Sequence, residues 1–90
     1  MSTISIQRKL NMSRDEVKKL AEKVGEKLGN KYGVCFTWAD YDAEIDGPGV
    51  SGACNVGEGE IGIELRLGFL AMPFKGKIEE EVKRYLDKLA

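Results

Sequence analysis

No histidine occurs in this chain of 90 residues. That removes the commonest general base near neutral pH and the commonest metal ligand. It also excludes a Ser-His-Asp or Cys-His catalytic arrangement. Only two cysteines are present, Cys35 and Cys54, too few without histidine for a structural zinc site. About one strand-loop-strand unit separates them, and in a reducing compartment they are expected as buried thiols instead of a bridge. Charge of one sign is missing too: 14 basic against 15 acidic residues give a net charge of −1. Nucleic-acid binding normally needs a basic footprint, and a membrane anchor a polybasic cluster, so neither partner is expected. No apolar run approaches the ~20 residues that span a bilayer, and the opening MSTISIQRKL has no apolar signal core. The expectation is a cytoplasmic protein with no membrane span.

What is present is ordinary globular composition, 42% hydrophobic and 32% charged. With no linker, repeat or low-complexity segment, residues 1–90 read as one domain. A chain this short should bury only about 60–65% of its unfolded surface, enough for one modest core and little room for a deep cavity.

Residues Thr3 to Leu10 alternate, with Ile4, Ile6 and Leu10 on one face and Ser5, Gln7 and Lys9 on the other. Period two predicts a strand with one buried face. Arg8 falls on the apolar side. It is either a strand-end arginine whose head reaches water or a contact for a ligand or partner. Ser13 followed by Glu16 is a capping-box signature that opens a helix. Val17, Leu20, Ala21, Val24 and Leu28 then recur at helical spacing, and Gly25 beside them marks a close backbone contact. Gly29–Asn30 is the expected stop. The lysines at 18, 19, 23, 27 and 31, interleaved with Glu22 and Glu26, read as a solvated face.

Three further strands are predicted over Val34–Trp38, Tyr41–Ile45 and Val50–Val56, and a fourth over Glu60–Leu67. Phe36, Trp38 and Tyr41 have core parity and are expected to pack in the core. The turns between strands are short, which implies antiparallel hairpins. A last helix runs from Lys75 to Leu89, with Ile78, Val82, Tyr85, Leu86 and Leu89 as its buried stripe. The fold class is therefore α+β, in the order β-α-β-β-β-β-α. Both narrow helical stripes need a partner surface, so both helices are placed on one face of a curved antiparallel sheet.

Several motif look-alikes fail on their physics. Asp42, Glu44, Asp46 and Gly47 imitate the start of a calcium loop, but the twelfth position, which needs a bidentate glutamate, is Ala53. With Asp40 these acids read as a solvated strand face. Gly47, Gly49 and Gly52 spell GxGxxG, yet no helix follows to receive a pyrophosphate. A hairpin and a close backbone approach explain the glycines better. Ser51, Cys35 and Cys54 have no activating neighbour in sequence. No catalytic, metal-binding or cofactor-binding residue is assigned.

Tyr32–Gly33, Trp38, Gly49–Val50–Ser51–Gly52, Leu67–Gly68–Phe69–Leu70, Pro73 and Gly76–Lys77–Ile78–Glu79 form a frame across the chain. With Ile4, Ile6 and Arg8, that frame resembles the polyhydroxyalkanoic acid system proteins. These are small bacterial proteins of about this length, named from genes near polyester-granule genes. The resemblance implies a cytoplasmic protein linked to polyhydroxyalkanoate granules, and supplies no catalytic residues. Family members often carry a histidine just before the first helix, where this chain has Leu10. The element order also resembles a minimal helix-grip fold.

Phe69, Leu70, Ala71, Met72, Pro73 and Phe74 run together without a charge. A strand with one buried face exposes every second residue, so this run overfills a single face. Phe69, Leu70, Met72 and Phe74, with Lys75 and Lys77 as a polar rim, form the candidate partner surface. The alternative is that the segment plugs the end of the sheet. The reading is a non-enzymatic accessory or binding protein, whose partner is a granule protein, the polymer surface or a second copy. A carrier of a small apolar ligand, with a pocket between the sheet and the last helix, is the alternative function.

Overall fold

The structure is a computed structural model, which describes residues 2–89. β1 (Ser2–Lys9) is followed by α1 (Arg14–Tyr32), then by β2 (Cys35–Ala39), β3 (Asp42–Gly47), β4 (Val50–Gly57) and β5 (Glu60–Leu67). A 3-10 turn over Met72–Phe74 leads into α2 (Lys75–Leu89). The element order is the expected one.

Period-two alternation sets the faces. Ile61, Ile63, Leu65 and Leu67 of β5 are buried, and so are Ile4 and Ile6 of β1 and Ala43 and Ile45 of β3. Their neighbours Ser5, Gln7, Glu44, Asp46, Glu64 and Arg66 are exposed. The five strands pair antiparallel throughout, in the order β1-β5-β4-β3-β2. The sheet is open. Since its polar face stays exposed, both helices lie on the apolar face. There α1 crosses β2, β4 and β5 while α2 covers β1.

α1 begins as expected. The Glu16 backbone N–H donates to Ser13 Oγ at 3.3 Å, and the Ser13 N–H donates back to Glu16 Oε1 at 3.1 Å. Its end departs from expectation. Gly29 and Asn30 lie inside the last turns, and Gly33 at φ 70° is the cap, donating its N–H to the Gly29 carbonyl at 3.0 Å. Gly33 is the residue that can take the left-handed conformation without strain. Gly25 packs as predicted: a Cβ there would sit 2.9 Å from Cγ of Phe36.

Strand ends shift by a residue or two. Asp40 and Tyr41 form the β2–β3 turn, with Asp40 at φ 56°, so β3 starts at Asp42 and runs on to Gly47. Val17, Leu20, Val24 and Leu28 of α1 and Ile78, Val82 and Leu86 of α2 join the strand residues in one cluster. Each fully buried leucine or isoleucine contributes roughly 1.5–3 kcal/mol relative to exposure. Tyr85 packs partly buried against this cluster, and the side chain of Leu89 lies outside the described residues.

Candidate functional surface

The segment from Gly68 to Phe74 turns the chain from the end of β5 into α2. Hydrogen bonds hold its backbone. Gly68 donates its N–H to the Gly49 carbonyl at 2.8 Å, and the N–H groups of Ala71 and Met72 donate to the Gly68 carbonyl at 3.1 and 3.2 Å. Phe74 N–H donates to the Ala71 carbonyl at 2.9 Å. The tight turn aims successive side chains in different directions. Ala71 points in and is buried, closing the end of the sheet. Phe69 and Leu70 point out, 91% and 71% exposed, and Met72 and Phe74 are 45% and 46% exposed. One residue of the run thus plugs the end of the sheet, and four project from it.

Around Phe74 and Leu70 lies an open cleft of about 290 Å³, with Tyr32, Pro48, Val50 and Ala71 on its walls. The Phe74 and Tyr32 rings stand 6.1 Å apart at 54°. Tyr32, named in the sequence only as part of the family frame, and Pro48 were not candidates for this surface, because the α1 end and the β3–β4 turn meet only after folding. Lys31 also borders the cleft. Its Nζ lies 2.6 Å from Glu81 Oε1, and that hydrogen bond raises the lysine above its ordinary pKa. Lys75 is half-buried and Lys77 exposed. Among the described residues neither forms an ion pair.

The remaining sequence candidates are dispersed. Asp42, Glu44 and Asp46 lie along the exposed face of β3, opposite Asn55, Ala53 and Ser51. The Asn55 side-chain amide donates to Asp42 Oδ1 at 2.9 Å. Among the described residues no three acidic or cysteine side chains converge as a metal site. Gly47 ends β3 just before a hairpin turn, Gly49 lies within that turn, and Gly52 faces the backbone of β5. Arg8 spans to α2, its Nε 3.2 Å from Asp87 Oδ1, and it also donates to the Gln7 carbonyl at 3.1 Å. That is a structural use of a residue the sequence left open.

Two expectations need correction. Cys54 is buried, but Cys35 is exposed, because it lies on the outer face of β2. Burial, with Asp42 adding to it, pushes the Cys54 thiol up to about 12. Phe36, Trp38 and Tyr41 pack against the core yet are only half-buried, since they sit on the border strand and its turn. The lysine face of α1 is solvated as expected at Lys19, Lys23, Lys27 and Lys31, with Lys18 half-buried, and some of its head groups also make contacts. Lys18 Nζ sits 5.5 Å from the Trp38 ring centroid and Lys27 Nζ 6.0 Å from that of Tyr85, while Lys31 holds Glu81.

No described helix is long and apolar enough to cross a membrane. Residues 4–89 match the model of the polyhydroxyalkanoic acid system protein family, the family its glycine and apolar frame resembled. No curated protein and no solved structure matches the chain at a significant level.

Proposed function

The chain belongs to the polyhydroxyalkanoic acid system family, and from that premise we propose a non-enzymatic accessory protein that binds an apolar surface at polyester granules. The binding element is Phe69, Leu70, Met72 and Phe74, with Lys75 and Lys77 as its polar rim. The observation that carries the reading is their joint exposure in one short segment. Large apolar side chains left in water together mark interaction sites more often than scattered ones do. Covering them contributes roughly 25 cal/mol for each Å² removed from water. The surface fits a polymer of low polarity or a protein coating it, and the protein would act in the cytoplasm.

The non-enzymatic part rests on chemistry. Among the described residues the groups whose pKa is shifted are a helix cap, an ion-paired lysine, a hydrogen-bonded tyrosine and a buried thiol, and none of them causes the shift of another. A ligand carrier would need space between the sheet and α2. Ile4, Ile6, Leu65, Ile78, Val82 and Leu86 are all buried in the common core there, which favours the outer surface over an inner pocket.

Co-sedimentation tests the reading. The purified chain is mixed with native polyhydroxyalkanoate granules and, separately, with bare polymer particles. Wild type should pellet, and Phe69→Ser and Leu70→Ser should lower the bound fraction about tenfold while keeping the fold. Binding to bare particles identifies the polymer, and binding only to native granules identifies a coat protein. A wild type that stays in the supernatant with both would sink the proposal.

A further inference from the structure

The sheet has two borders, and they differ. β1 forms one of them. It carries Arg8 and Lys9, Arg8 is tied to Asp87, and α2 packs over the strand. Charge and cover of this kind are how natural sheets avoid pairing with other chains. β2 forms the other border, and its residues Cys35, Phe36, Thr37, Trp38 and Ala39 include no charge and no proline.

The unpaired backbone groups of β2 can be located. The Val56 N–H donates to the Tyr41 carbonyl at 2.9 Å, which sets the odd-numbered residues of β3 toward β4. Antiparallel bonding alternates, so Asp42, Glu44 and Asp46 turn theirs toward β2. By the register, their partners there are Ala39, Thr37 and Cys35. Phe36 and Trp38 therefore direct their N–H and C=O groups away from the sheet. Their rings, 6.4 Å apart, are half-buried along the same border.

We infer that β2 is a self-pairing edge, onto which β2 of a second copy adds antiparallel about a two-fold axis at Thr37. Five residues centred on Thr37 are self-complementary in that register. Phe36 meets Trp38 of the second copy twice, so both outward sets of backbone groups are satisfied and four half-buried rings gather on the inner face. Thr37 meets Thr37, and Cys35 meets Ala39. No charge faces a like charge within the pair. The result is one continuous sheet of two chains. A five-residue strand pairing is small beside the 1,200–2,000 Å² of stable interfaces, so the dimer is weak and forms at high local concentration.

The register gives a sharp test. At the axis the two Thr37 Cα atoms form a non-hydrogen-bonded pair, about 4.5 Å apart. A disulfide accepts that distance. Native Cys35 lies roughly 13 Å from its symmetry mate, four residues of strand rise away, and cannot bridge to it. With Cys35→Ser as background, Thr37→Cys at about 100 μM under mild oxidation should give a covalent dimer at least tenfold faster than Ala53→Cys. Ala53 is an exposed control on the central strand β4. Ala39→Cys should cross-link when native Cys35 is present and lose that linkage when Cys35 is Ser. Circular dichroism confirms that each variant is folded. Wild-type fluorescence reports the edge directly, because Trp38 is the one tryptophan. Its emission should move to the blue as concentration rises. Thr37→Cys linking no faster than the control overturns the inference. So does a dimer in sedimentation that lacks the register-specific cross-links, which would place self-association at another surface such as Phe69–Phe74. A wild type that remains a monomer at about 1 mM overturns it as well.

Discussion

Gly52 lies so close to β5 that a Cβ would be driven into the carbonyl oxygen of Glu64. The position tolerates no side chain, although its neighbours Ser51 and Ala53 sit exposed on the same strand. Gly52→Ala should therefore destabilise the fold by roughly 3 kcal/mol, the upper end for forcing an extra carbon into a packed site. Urea denaturation measures it, and a loss under about 1 kcal/mol would mean the sheet relaxes there easily.

Stability should separate the surface segment from the core. Phe69→Ser should change unfolding free energy by no more than about 0.5 kcal/mol, as for exposed positions generally. Leu65→Ala removes a side chain that is 0% exposed and should cost about 2–5 kcal/mol. Similar costs for the two variants would mean Phe69 packs in the core and the patch does not exist.

The two thiols should differ sharply in reactivity. Cys35 is exposed, whereas Cys54 is buried with its thiol pushed up to about 12. The thiolate is the reacting species. Native protein at pH 8 should release one equivalent of thiol promptly with an aromatic disulfide reagent, and a second only on unfolding. Two prompt equivalents would show that β4 opens readily.

Acid should weaken the start of α1. The hydrogen bond from the Ser13 backbone, then that from its side chain, lowers the Glu16 pKa below the usual 4.5. A carboxylate lowered on folding stabilises the native state above its unfolded pKa, and this is lost as pH falls through the folded value. Wild type should thus lose melting temperature below pH 4.5 more steeply than Glu16→Gln, and the two should converge at the lowest pH. Parallel curves would show that the charge at the cap contributes nothing.

Most of the elements could be read from the chain, because period two and period 3.6 are local properties. Ser13 and Glu16 marked the start of α1 at a distance of three residues. Ile61 to Leu67 marked β5 and its buried face. The alternation that made β3 a strand also removed the calcium look-alike, since Asp42, Glu44 and Asp46 point out along an extended backbone. The overfilled run from Phe69 to Phe74 indicated surplus apolar surface before any fold was known.

Which of those side chains project was decided by the tertiary structure. Ala71 turns in and Phe69 out because Gly68 hydrogen-bonds to Gly49 and bends the segment across the β3–β4 turn. Strand order was equally nonlocal. β1 pairs with β5 over eight residues, and no periodic pattern within either strand names the other as its partner. That pairing leaves β2 at the border, so Cys35 is exposed and Phe36 and Trp38 only half-buried despite their core parity. Parity along a strand determines which face a side chain joins. Whether that face is covered on both sides depends on which strands and helices arrive beside it, and only the assembled sheet settles that.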